Sequence, residues 1–214
     1  MNFEAMAGLF LKLYKESKTV EFVKSASVYC SSFNGLPAKY QTAAQEMGVL
    51  LAKNNIQLVY GGGRMGLMGL VSNAVLEAGG KAIGISTTLI STREGINENL
   101  HEIMVVETMH ERKRLMFEKS EAFIILPGGI GTLDETFEIM TWKQIGLHHK
   151  KIIFLDIDEY WSTIFSTHFK RMIEDGFVRG IDQKLFIIVK TPEEVIYNLC
   201  NGIQPDQGYV SKWV

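Results

Sequence analysis

The residues best placed to do chemistry lie in two short stretches of this 214-residue chain. The first is Pro127-Gly128-Gly129-Ile130-Gly131-Thr132-Leu133-Asp134-Glu135, directly after the apolar run Ala122 to Leu126. Glycines at a strand-to-helix turn leave backbone N–H groups uncovered. The helix that follows adds its own unpaired N–H groups and the positive end of its dipole. Such a turn is a seat for a phosphate. Glu135 falls one turn inside that helix among apolar neighbours, and a carboxylate beside a phosphate pocket suits chemistry on a phosphorylated sugar. The ordinary reading of a first-turn glutamate is stabilisation by the dipole, and the glycine turn before it favours the chemical reading. Burial would raise its pKa and the dipole would lower it.

The second stretch is Met109-His110-Glu111-Arg112-Lys113-Arg114. Arg112 and Lys113 fall in the first turn of a predicted helix, where cations meet the positive dipole end. For Arg112 the reading favoured is an anion to hold; Arg114 and Lys119 read as a solvated face. A third motif, Gly61-Gly62-Gly63-Arg64-Met65-Gly66, follows the run Ile56 to Tyr60. It is neither a strict GxGxxG nor a P-loop. The pattern is evenly balanced between a ligand-facing turn, with Gly62 and Gly63 as contacts, and a tight packing turn. Ser31 and Ser32 are candidate donors to a ligand, or serve their own turn.

The elements that must position these residues are short continuous apolar runs alternating with amphipathic segments. Strands are predicted at 26–30, 56–60, 81–85, 103–106, 122–126, 152–155 and 185–189. Helices are predicted at 38–53, 67–78, 109–119, 131–145, 159–174 and 192–199, with a polar loop over 86–99. Unbroken apolar strands mean burial on both faces, as in a parallel sheet covered by helices. The expectation is an α/β, open, doubly wound parallel sheet in one domain, with ligands at the carboxyl ends of its strands. Residues 1–20 read as an N-terminal helical extension and 21–214 as the catalytic domain.

Composition narrows the classes. With 46% hydrophobic and 21% charged residues the chain reads as an ordinary soluble protein. A net charge of −2 gives no sign of a general nucleic-acid binder. Cys30 and Cys200 read as reduced thiols in a cytoplasmic protein. None of the five histidines has metal-ligand spacing, so no metal is expected. The start of the chain lacks the pattern of a secretion signal or a membrane span.

Taken together, MHERK at Met109 to Lys113, PGGIGTLDE at Pro127 to Glu135 and YGGGRMGLMG at Tyr60 to Gly69 resemble the signatures of the LONELY GUY family. These are cytokinin riboside 5′-monophosphate phosphoribohydrolases, often labelled lysine decarboxylases. The resemblance runs from about Ser25 to Gly176. It implies a Rossmann-like fold, a homodimer, no cofactor, and hydrolysis of the N-glycosidic bond of a nucleoside 5′-monophosphate. It implies Arg112 and Glu135 as the catalytic pair, with Lys113 beside them and the phosphate loop on Gly128, Gly129, Ile130, Gly131 and Thr132. Glu94 and Thr141 are carried over as further nucleotide-binding residues. Two positions depart from the family pattern: Cys30-Ser31-Ser32-Phe33 stands where Cys-Gly-Ser-Ser is frequent, and Asp134 where glutamate is usual. The rivals are a general AMP nucleosidase on the same site, a nucleotide-binding module without catalysis, and a dinucleotide-dependent oxidoreductase. The last is disfavoured by Tyr60-Gly61, where it would need an acidic residue.

Overall fold

Seven runs of mostly β-branched, aromatic and other apolar residues pair side by side in the computed structural model, which describes residues 23–200 and Ser211. They are β1 (Ser25–Tyr29), β2 (Gln57–Tyr60), β3 (Ala82–Thr87), β4 (Glu102–Val106), β5 (Ala122–Ile125), β6 (Lys151–Leu155) and β7 (Ile187–Val189). All pairings are parallel and the order is β4-β3-β2-β1-β5-β6-β7. The chain winds outward from β1 to β4, then crosses back to place β5 on the other side of β1. That reversal opens a crevice at the carboxyl ends of β1 and β5, where doubly wound sheets hold their ligands. The expected α/β architecture is observed; the predicted extension over 1–20 lies outside the described residues.

Two apolar layers cover the sheet. On one face α1 (Ala38–Lys53), α2 (Gly66–Glu77) and α7 (Pro192–Cys200) bury Met47, Leu51, Val71 and Val195 against Val28, Leu58 and Ile124. On the other, α4 (Met109–Glu118), α5 (Ile130–Gln144) and α6 (162–174) bury Met116, Ile139 and Phe169 against Tyr29, Phe123 and Ile125. Neighbours along a strand point to opposite layers, so strands with both layers present are buried at successive positions and mostly apolar, with the small hydroxyls of Ser27, Ser86 and Thr87 as buried exceptions.

Three expectations change. The predicted loop over 86–99 contains α3 (Thr88–Glu94). The Thr87 hydroxyl caps its start by accepting from the Ile90 N–H, and Gly95 ends it at φ 73°. The strand β4 is not buried on both faces: as an edge it leaves Ile103 and Val105 exposed on one side. The helix predicted from 159 begins later, after a short 3-10 turn (Ile157–Glu159) in which Asp158 and Glu159 take left-handed φ of 54° and 60°.

Candidate active site

The dominant feature of the crevice is a buried ion pair. Arg112, on the first turn of α4, places Nη1 2.7 Å from Oε1 of Glu135 on α5. The two residues are 3% and 5% exposed, so neither charge is offset by water. The Arg112 Nε donates to the Ile85 carbonyl at 3.0 Å, which fixes the guanidinium plane against β3. The anion expected from the penalised position of Arg112 is therefore Glu135 itself. Burial pushes the Glu135 carboxyl above the usual carboxylate range, and the Arg112 cation only partly offsets this. The other nearby thiol and phenol, Cys30 and Tyr29, are raised by burial and by the Glu135 charge, so both are uncharged at neutral pH.

The glycine turns play different parts. At α5 the helix starts on Gly129 with no side-chain cap, and its first internal bond runs from the Leu133 N–H to the Gly129 carbonyl at 3.0 Å. The N–H groups of Ile130, Gly131 and Thr132 are those a helix cannot pair internally. Gly129, Ile130 and Gly131 are exposed and Thr132 is buried. By contrast, Thr108 caps α4 by accepting from the Glu111 N–H. At α2 the protein spends the amides on itself. Gly66 N–H donates to Asn34 Oδ1, and the Leu67 and Met68 N–H groups donate to the Ser31 carbonyl. The even balance drawn for the first glycine turn therefore tips to packing at this helix end. Gly61 leaves room for Arg112, since a Cβ there would overlap its Nη2. Gly62, at φ 78°, lies against Gly84, and Gly63 pairs with Ile96.

Lys113 reaches from α4 to α5, with Nζ 3.1 Å from Asp134 and 3.2 Å from Glu138. Burial lowers its pKa, but the two carboxylates outweigh that and leave it raised. The shorter arm of Asp134 still makes the contact. Glu94, at the end of α3, accepts from the Ser32 hydroxyl at 3.3 Å, which brings the third strand's loop over the first. Ser31 Oγ accepts from the Phe33 N–H, the local-turn role. Thr141 is not drawn into the cluster. It is exposed, its hydroxyl donates to the Phe137 carbonyl, and it stands about 9 Å along α5 from Glu135.

On α5, Glu135, Ile139 and Met140 are buried, whereas Phe137 is 42% exposed. Sequence reasoning missed Glu138, the second partner of Lys113. Its i+4 spacing from Asp134 was the available signal. It also missed Tyr160, whose hydroxyl donates to the Gly128 carbonyl at 2.7 Å and which no local pattern marks.

A family model described as "Possible lysine decarboxylase" matches residues 68–199. Two curated proteins of Arabidopsis thaliana, each named cytokinin riboside 5′-monophosphate phosphoribohydrolase, are similar over most of the chain. One is 41% identical over 172 residues, covering 80% of this chain and 80% of its own. The other is 38% identical over 189 residues, covering 88% of this chain and 87% of its own. The chain belongs to the LONELY GUY family. A solved molybdenum cofactor binding protein from Rippkaea orientalis shares the fold at a TM-score of 0.62 and 20% identity, over 82% of this chain and 94% of its own. That likeness shows a common architecture and no more. This family member thus sets Arg112 of the MHERK stretch and Glu135 of the PGGIGTLDE stretch in direct contact.

Proposed function

We propose that the protein hydrolyses the N-glycosidic bond of a cytokinin riboside 5′-monophosphate, or a closely similar adenine nucleotide, to the free base and ribose 5-phosphate. The observation that carries the reading is the buried Arg112–Glu135 pair one turn from the uncapped start of α5. The relatives' printed activity is the second support.

The phosphate docks on the N–H groups of Gly129, Ile130, Gly131 and Thr132, with the α5 dipole behind them. Anchoring the 5′ end fixes the ribose and converts binding energy into orientation. When the bond from C1′ to the base nitrogen breaks, its electron pair leaves with the base and positive charge gathers on the ribosyl ring. The Glu135 carboxylate stabilises that charge and polarises the water whose oxygen adds to C1′. One of the water's protons ends on the departing base and the other stays on the new C1′ hydroxyl. Arg112 orients Glu135 and the substrate, and Lys113 holds α4 to α5 through Asp134 and Glu138. Glu94, Gly62 and Gly63 line the approach on the β2–β3 side, and Thr141 stands at its outer margin.

The proposal includes a homodimer. Its support is the apolar surface that one chain leaves open on α5 and β4, at Ile130, Phe137 and Val105. A cytoplasmic location completes it; among the described residues no helix is long and apolar enough to cross a membrane. The test is incubation with AMP and with prenylated AMP, scoring ribose 5-phosphate and free base. Release of neither product refutes the reading, and release from AMP in preference to prenylated AMP reassigns it to a general AMP nucleosidase.

A further inference from the structure

We propose that Tyr160 is a positioning residue for the phosphate seat, acting through the orientation of the Gly128–Gly129 peptide. The inference rests on the phosphate-docking reading above and assigns a role to a residue outside both signature motifs.

A trans peptide holds its C=O and N–H in opposite directions. Whatever captures the Gly128 carbonyl therefore aims the Gly129 N–H the other way. Tyr160 captures it: its hydroxyl donates to that oxygen at 2.7 Å from the turn after β6. The preceding carbonyl, of Pro127, is taken by the Ser31 N–H at 3.2 Å from the turn after β1. Two successive peptide planes of the loop are thus set from two neighbouring strands. A peptide between two glycines has little steric preference of its own, so an outside hydrogen bond decides its orientation.

The turn that presents Tyr160 is itself heavily determined. Asp156 is buried at the end of β6, and its carboxylate accepts from the Trp161 and Ser162 N–H groups, the Ser162 hydroxyl and Lys190 Nζ. Burial alone would raise the Asp156 pKa, but these donors together hold it below the usual range. Lys39 of α1 pairs with Asp158. Between these anchors Asp158 and Glu159 are both left-handed, a conformation that non-glycine residues adopt only when their surroundings impose it, and one that gathers at functional sites. The Tyr160 ring is packed edge-on by Tyr40 and Trp161, which leaves its hydroxyl pointing at the loop.

The test is titration of the full-length protein with ribose 5-phosphate and, separately, with adenine, in the unsubstituted protein, Tyr160→Phe and Tyr40→Phe. Phenylalanine keeps the ring contacts and removes only the hydroxyl. One hydrogen bond's worth of orientation predicts that the Kd for ribose 5-phosphate rises about 2- to 12-fold in Tyr160→Phe. Adenine binding and Tyr40→Phe should be unchanged. In turnover, KM for the nucleotide should rise by a similar factor while kcat holds. Equal ribose 5-phosphate affinity in Tyr160→Phe and the unsubstituted protein overturns the assignment alone, as does an equal loss for both ligands, which marks general loosening. Failure of the unsubstituted protein to bind ribose 5-phosphate overturns the phosphate seat and this assignment together.

Discussion

Replacing Glu135 by glutamine removes one charge from the buried pair while keeping the shape. The glutamine oxygen still accepts from Arg112 Nη1 at the position now 2.7 Å away, and the Arg112 bond to Ile85 is untouched. Removing a partner outright from a buried pair costs about 3–5 kcal/mol. Glutamine retains the hydrogen bond and also relieves the burial penalty that raises this carboxyl, so the fold should lose only about 1–2 kcal/mol. Catalysis should suffer more. A preorganised group acting on charge in a water-poor site contributes about 10²- to 10³-fold in kcat, or about 2.7–4 kcal/mol. The phosphate seat on α5 is not altered, so KM should stay within about threefold. The assay is steady-state release of free base from the nucleotide, with a melting curve and a ribose 5-phosphate titration on the same sample. A folded Glu135→Gln protein that turns over within about threefold of the unsubstituted enzyme would refute the role given to the carboxylate.

Other outcomes follow from the same geometry. Gly61→Ala drives a Cβ into Arg112 Nη2 and should cut kcat by about tenfold or more with the fold retained, as read by circular dichroism and kinetics. Gly128→Ala puts a Cβ 2.6 Å from that of Thr132 and should raise the KM of the phosphorylated substrate about tenfold, with a smaller effect on binding of the free base. Because the Glu135 carboxyl is raised by burial, the acid limb of kcat should lie above the ordinary carboxylate range and vanish in Glu135→Gln. His148 is buried with Nε2 2.8 Å from the Ile139 carbonyl and Nδ1 accepting from the Lys150 N–H, partners that suit the neutral ring. Burial lowers its pKa from 6.5 to about 4. Stability from this group is therefore present above pH 6.5 and lost as pH falls through 4, by at most about 3 kcal/mol. Urea melts across that range should show the loss, and His148→Gln should flatten it.

The parts of the fold that were legible in the sequence are those where local pattern and tertiary role agree. The runs in β1, β2, β3, β5 and β6 are mostly apolar because layers cover both sides, and mostly apolar runs of this length are visible without a structure. The edge strand β4 is also apolar, but its outer side has no layer in one chain, and composition does not record which strand is the edge. The helix α3 is short and rich in β-branched and hydroxyl residues, so propensity argued for a loop; only the Thr87 and Gly95 caps mark it. The left-handed pair Asp158-Glu159 follows from anchors at Asp156 and Lys39 that are distant or unremarkable in sequence. At the site, Arg112 and Glu135 were each picked out by position relative to a helix start. Their contact was not, because it depends on how α4 and α5 pack over β3 and β5. The unequal use of the two glycine turns was equally hidden. It turns on Asn34 and Ser31, which close one helix end and leave the other open.

The proposed hydrolysis requires amides of α5 to hold the 5′ phosphate while Glu135 faces the anomeric carbon. The most direct measurement is a crystal structure with ribose 5-phosphate bound. Phosphate oxygens should lie on the N–H groups of Gly129 to Thr132, with a Glu135 oxygen within about 3.5 Å of C1′ or of a water poised on it. A bound sugar whose C1′ lies across the crevice from Glu135, or whose phosphate sits away from α5, would contradict it.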